Sequence, residues 1–269
     1  MKERYLTAFI AIPALLLVVH SGPVMVSLIV TLVALFGSIE FYALMDKCSR
    51  PSSRKAGMTA VVLLCACAYI DPAGGRGLDG ALICVFLFFI LAAEIIRKNV
   101  PHGIASCMTT LFGVLYVGWL ASRLILLRGV YPAGESLTYL LLFTTWMVDS
   151  AAYWVGIKFG KHRLNGVVSP NKSWEGSIAG LLSAPLVVFV CRKVLPGLGI
   201  LGFSDCVIMG LLLGTGGQFG DLAESLIKRS AGVKDSGDIF PGHGGILDKA
   251  DSLLFNAPLL YYYVKFFVL

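Results

Sequence analysis

The sequence predicts an all-α polytopic membrane protein of about nine transmembrane helices in one bundle. Three observations predict it. The 269 residues are 57% hydrophobic and only 14% charged, against about 25% charged in a soluble domain. Apolar runs of roughly 20 residues, the length that crosses a bilayer, recur along the whole chain. The alternating ten-residue segments of a membrane β-barrel are absent from the sequence.

The apolar runs are 5–20, 23–46, 57–71, 79–97, 103–121, 136–160, 174–192, 199–227 and 248–268. Gly22-Pro23, Asp71-Pro72, Pro101 and Pro132 punctuate them, as turn residues do. The first run follows Lys2 and Arg4 in the manner of a signal peptide. Val18, Val19 and His20 make a poor cleavage site, so a retained helix is expected. The first and third runs are short. The whole of 1–269 reads as one integral-membrane domain. Helices of 1–135 are expected to supply packing, a lipid groove and dimer contacts, and 136–269 the catalytic helices and site loops.

Lysine and arginine placement orients the chain. With the N-terminus in the cytoplasm, all but six of the 22 fall on the inside, the six being Arg76, Arg123, Arg128, Arg192, Lys193 and Lys265. Every chemistry-bearing stretch then faces the cytoplasm of a bacterial-type cell, where nucleoside triphosphates are found. The net charge of +6 sits in short loops, so no nucleic-acid partner is expected. The seven cysteines, 48, 65, 67, 84, 107, 191 and 206, form no C-x-x-C pair and read as small apolar packing residues.

Three stretches carry chemistry. In the first, Asp149 interrupts an apolar helix, and Tyr153 lies one turn later on the same face. A carboxylate there is costly unless it is used. Gly156 and Gly160 make a G-x-x-x-G, whose plainer reading is close helix packing.

In the second, Ser169-Pro170 reads as a turn and Ser173 as an N-cap three residues before Gly176. Lys172 then sits beside a helix N-terminus, where amides and dipole favour anions. Glu175 follows in the first turn. The plainer reading is a basic loop end with interfacial Trp174.

The third is the most specific. Asp221, Glu224, Ser225 and Lys228 share one helical face, with Arg229 following. Asp248, Asp251 and Ser252 share a face of the last helix. Lys234, Asp235, His243, Gly244 and Gly245 lie on the loop between. Two facing helices would bring Asp221 and Asp248 together, and a bound cation would remove their repulsion. Mg²⁺ takes oxygen ligands, typically one or two carboxylates with substrate phosphates. The paired glycines permit close backbone approach to phosphate. An ordinary Asp–Lys/Arg network is the plainer alternative. His243 has no histidine near it in sequence, which argues against zinc.

The run from Ser225 through Lys228-Arg229, Lys234-Asp235, Gly237, Phe240-Pro241, His243-Gly244-Gly245-Ile246 and Asp248 to Asp251 resembles the signature of phosphatidate cytidylyltransferases, the CDP-diacylglycerol synthases. The Ser169–Gly176 stretch and Asp149-x3-Tyr153 resemble that family's patterns too. These matches span about 100 residues of the C-terminal half, and the N-terminal helices add none. Lys249 stands where the family pattern has arginine.

The resemblance implies transfer of a cytidylyl group from CTP to phosphatidic acid, giving CDP-diacylglycerol and pyrophosphate at the cytoplasmic face. Asp221 and Asp248 would hold Mg²⁺, a second cation being compatible, and with Lys228 they form the expected catalytic set. Asp149, Tyr153, Ser169, Lys172, Ser173, Glu175, Glu224, Ser225, Arg229, Lys234, Asp235, His243, Gly244, Gly245 and Asp251 would bind substrate. Membrane lipid is the surrounding partner, and a homodimer is expected from the resemblance alone. A CTP-dependent lipid-alcohol kinase is the main alternative and would release CDP. An intramembrane prenyltransferase would want D-x-x-x-D clusters, which Asp221-x-x-Glu224 fits loosely. An anion transporter would want midplane charges and inverted repeats, and no repeat is visible.

Overall fold

A computed structural model describes residues 2–238 and 244–269, with side chains from residue 11 onward. It is almost entirely helical. The helices are α1 (Lys2–His20), α2 (Pro23–Lys47), α3 (Arg54–Ile70), α4 (Leu78–Ile96), α5 (Gly103–Gly113), α6 (Leu120–Arg128), α7 (Gly134–Phe159), α8 (Trp174–Val194), α9 (Phe203–Ser230) and α10 (Leu247–Tyr263). A π-helical segment, Val114–Trp119, joins α5 to α6, so Gly103–Arg128 is one rod. That rod runs seven residues past the end expected from the apolar run. Eight of the nine apolar runs thus each coincide with one continuous helix, while 199–227 begins in the short turn Leu198–Ile200 and its helix starts at Phe203.

Six of these, Pro23–Lys47, Leu78–Ile96, Gly103–Arg128, Gly134–Phe159, Trp174–Val194 and Phe203–Ser230, are long and apolar enough to cross a membrane. The helices α3 and α10 are shorter, at 17 residues each. The protein is an all-α integral membrane protein.

One element departs from the helical expectation. Arg163–Asn165 (β1) and Ser169–Ser173 (β2) pair as an antiparallel hairpin. Asn165 makes it possible. Its side-chain oxygen accepts from the Val167 and Val168 amides at 3.2 and 3.1 Å, a local side-chain turn of the kind asparagine favours.

The chain divides into two compact units, Met1–Gly129 with Ser230–Lys249, and Val130–Arg229 with Ala250–Leu269. In the first, Phe41, Tyr42, Leu64, Val117 and Leu127 are fully buried. The Tyr42 hydroxyl donates to the Thr110 carbonyl at 2.9 Å, so a buried polar tip is satisfied. Gly113 makes room, because a Cβ there would lie 2.7 Å from Phe41 Cε1. Two acidic groups are neutralised within this unit. Asp79 accepts from Arg123 at 2.7 Å, and Glu94 accepts from Ser53, Arg97, Asn99 and Ser106.

The second unit is built on the packing of α7 against α8. Gly176 governs that contact. A Cβ on it would lie 2.5 Å from the Ala152 carbonyl oxygen and 3.1 Å from Gly156 Cα. The two helices therefore touch backbone to backbone, as small residues allow in membranes. The α9 and α10 helices approach in the same way at Gly220, whose Cβ would sit 2.5 Å from the Asp251 carbonyl oxygen.

Candidate active site

Four helices and the hairpin place charged side chains together in the second unit. Ser173 caps α8, accepting from the Gly176 amide at 3.2 Å. Lys172 is the residue before the cap, on β2. Its ammonium lies 2.6 Å from Asp221 Oδ2, on α9. The Ser225 hydroxyl, one turn further along α9, donates to Asp221 Oδ1 at 3.4 Å. Asp149 on α7 and Asp251 on α10 both lie within electrostatic reach of Asp221 and of Lys172. Three carboxylates thus surround one lysine, a repulsive arrangement that favours further positive charge.

A cavity of ≈ 700 Å³ opens on this cluster, with Asp149, Tyr153, Asn171, Lys172, Gln218 and Asp221 in its wall. That volume suits a nucleotide-sized ligand. Gln218 is held in place, donating to the Ser177 and Gly214 carbonyls at 3.1 and 2.9 Å. Ser169 also lines the cavity. Tyr153 is exposed and packs edge-on against Trp154.

Glu175 and Arg229 brace the hairpin. Glu175 lies 2.6 Å from His162 Nδ1, and Arg229 Nε donates to the Val168 carbonyl at 3.4 Å. Lys228 is buried and ion-paired with Glu224, one turn back on α9.

The first unit carries the other group of signature residues. Asp248 Oδ2 accepts from the Ser236 amide, the Ser236 hydroxyl and the Gly245 amide, at 2.9, 2.9 and 2.8 Å. Gly244 has φ +83°, a left-handed conformation that glycine adopts without strain. Lys234, Asp235 and Lys249 are exposed on this segment. His243 lies outside the described residues.

Glu40 on α2 belongs to the same group and was not among the expected residues. It is 5% exposed. Its carboxylate accepts from the Ser236 hydroxyl and from the Ile246 and Leu247 amides, each at 2.9 Å. The available signal was a carboxylate within the apolar run 23–46.

The donor set suits a hard divalent cation, since the acidic groups offer oxygen only. Among the described residues no three His, Cys, Asp or Glu side chains group closely enough to hold an ion by themselves. Mg²⁺ commonly keeps one or two carboxylates and takes its remaining ligands from water and substrate phosphates, so Asp221 and its neighbours fit that mode.

Fold and site together define an integral membrane protein with a charged, nucleotide-sized cavity at helix ends. Comparison with known proteins gives the particular family. Residues 2–267 match the cytidylyltransferase family, and the chain belongs to it. Its relatives include the phosphatidate cytidylyltransferase of Synechocystis sp., 32% identical over 97% of this chain and 96% of the relative. That of Bacillus subtilis is 31% identical over 99% and 98%. That of Staphylococcus aureus is 34% identical over 97% of each.

Proposed function

We infer that the protein transfers a cytidylyl group from CTP to phosphatidate, giving CDP-diacylglycerol and pyrophosphate. The observation that carries this reading is the Lys172–Asp221 pair on the wall of a ≈ 700 Å³ cavity. In a membrane-embedded cytidylyltransferase, such a pair supports a reading in which the lysine would bind phosphate and the carboxylate would bind metal.

The chemistry asks little of a general base, because the attacking phosphate oxygen of phosphatidate is already ionised. It forms a bond to the α-phosphorus of CTP. The bond from that phosphorus to the α,β-bridging oxygen breaks, and pyrophosphate leaves with its electron pair. Both reactants are anions, so positioning and charge neutralisation are the main tasks. Lys172 would bind phosphate oxygens at the start of α8, where the helix N-terminus adds positive potential. Tyr153, Asn171 and Ser169 would line the nucleotide. Arg229 and Lys234 would offer further positive charge to the phosphates.

Asp221 would be a Mg²⁺ ligand, with Asp149 and Asp251 adding negative potential around it, and Asp248 is the ligand we propose in the other unit. When bound, the ion would neutralise charge on the phosphates. An apolar groove of ≈ 390 Å³ beside Phe219, Phe255 and Leu259 lies in the same unit as the cavity. It would take part of an acyl chain. The lysine and arginine distribution supports a cytoplasmic active site in a bacterial-type inner membrane. A homodimer is the assembly we expect.

The test uses purified full-length protein with phosphatidate, and in a parallel assay diacylglycerol as a lipid alcohol, in mixed micelles with CTP labelled in its cytosine ring. Label should enter the lipid phase with stoichiometric pyrophosphate. Label left in aqueous CDP, with a new lipid phosphate, would instead identify a CTP-dependent lipid-alcohol kinase.

A further inference from the structure

We propose that Glu40 is a positioning residue of the active site, holding the first turn of α10 and the Asp248 loop from the far end of the sequence. Its kinetic consequence rests on the function proposed above, while its structural consequence does not.

The carboxylate caps α10. The Ile246 and Leu247 amides stand at the start of that helix and have no carbonyl partner within it. Both donate to Glu40, one to each oxygen. Negative charge at a helix N-terminus is also favoured by the helix dipole. Ordinarily a local Ser, Thr, Asp or Asn does this work. The residue at the cap position here is Ile246, which has no side-chain oxygen, and a residue 206 positions away substitutes for it.

Ser236 links this cap to Asp248. Its hydroxyl carries one hydrogen and faces two acceptors, Glu40 Oε2 and Asp248 Oδ2, both at 2.9 Å. Its amide also donates to Asp248 Oδ2. Glu40 therefore fixes Ser236 and the helix start, and these two fix the Asp248 carboxylate. The surroundings leave the carboxylate no slack. A Cβ at Gly237 would lie 2.6 Å from Glu40 Oε1. Its three donors are all neutral, whereas the buried Glu94 in the same unit has Arg97 among its donors.

The comparison between these two glutamates supplies the test. Hydrogen exchange on the full chain in detergent should show the Ile246 and Leu247 amides exchanging at least ~10-fold faster in Glu40→Gln, because their opening is no longer opposed by the cap. Glu94→Gln should leave that exchange unchanged while lowering the melting temperature. In turnover, Glu40→Gln should lower kcat at least ~10²-fold, the scale for losing preorganised electrostatics. It should also raise half-saturating Mg²⁺, with KM for phosphatidate little changed.

Ser236→Ala is the second variant, milder because it keeps the backbone donor. It should raise half-saturating Mg²⁺ in the same direction, and it decides the matter if Glu40→Gln does not fold. Unchanged exchange at Ile246 and Leu247 in Glu40→Gln, or an unchanged Mg²⁺ dependence in Ser236→Ala, overturns the proposal. So does an equal kinetic effect from Glu94→Gln, which would make Glu40 a general stabilising residue. If the wild-type protein makes no CDP-diacylglycerol, the proposed function fails, and the exchange measurement still decides the role of Glu40.

Discussion

Lys172 Nζ and Asp221 Oδ2 are 2.6 Å apart, an ion pair joining the end of the hairpin to the first acidic residue of the Asp221–Arg229 stretch on α9. Both partners remain about a third exposed or less, at 27% and 33%, so the pair is reachable by ligand. Asp221→Asn should cut CDP-diacylglycerol formation at least ~10²-fold, and Lys172→Ala should raise KM for CTP. Because the two residues touch, the double variant should lose less than the product of the single losses. Strictly multiplicative losses would show that they act separately.

Asp248→Asn tests the loop. Asp248 Oδ2 accepts three hydrogen bonds, and an amide could satisfy them only through its single carbonyl oxygen and with no charge. Turnover should fall at least ~10²-fold, while the protein extracts and purifies normally. Turnover should be measured across a Mg²⁺ titration. A normal rate with an unshifted midpoint would remove Asp248 from the site.

Gly176→Val tests the packing that carries the cavity. The new side chain meets the Ala152 carbonyl oxygen, whose distance from the ideal Cβ is 2.5 Å. This is backbone and cannot rotate away, so α7 and α8 must separate, at a cost of about 1–3 kcal/mol. Thermal unfolding in detergent should show a clear drop in melting temperature, and activity should fall with it. A wild-type melting curve would mean that the two helices are not in backbone contact.

Lys249→Arg probes the position where the chain differs from the family pattern. Lys249 is exposed and follows Asp248 on α10. Arginine presents a planar two-pronged donor where lysine offers a point charge. The substitution should keep or raise kcat/KM for CTP, and Lys249→Ala should lower it. Abolition of turnover by arginine would show that this position is not equivalent to the family's arginine.

Orientation has its own test. Single cysteines at residues 52, 162 and 236, in a cysteine-free background, should resist an impermeant maleimide on intact cells, and those at 22 and 75 should react. Labelling of 236 from outside would reverse the proposed topology.

The helices were legible because apolar length is a local property. The run 174–192 became Trp174–Val194, and the run 23–46 became Pro23–Lys47. The cap at Ser173 was legible for the same reason, since donor and acceptor lie three residues apart. The hairpin was missed because one side chain, Asn165, bends the chain between two short polar stretches with no apolar alternation. Lys228 and Lys172 both stand among the expected site residues. Burial separates them, because Lys228 pairs inside its own helix with Glu224 while Lys172 reaches across to α9. Glu40 could be noticed as a carboxylate in an apolar run, but its role was beyond reach for the opposite reason. Its partners lie about 200 residues downstream, and no spacing rule spans that distance.

That distance has a consequence for how the chain is made. Glu40 enters the bilayer on the second helix, 196 residues before Ser236 leaves the ribosome. At about 5–20 residues per second, the interval is on the order of 10–40 s. Throughout it a carboxylate in an apolar helix has none of its three final donors, and an unpaired charge in such a helix is costly. The Glu40 contacts can therefore form only after most of the chain has been synthesised, so the loop around Asp248 is among the last parts of the molecule to be fixed.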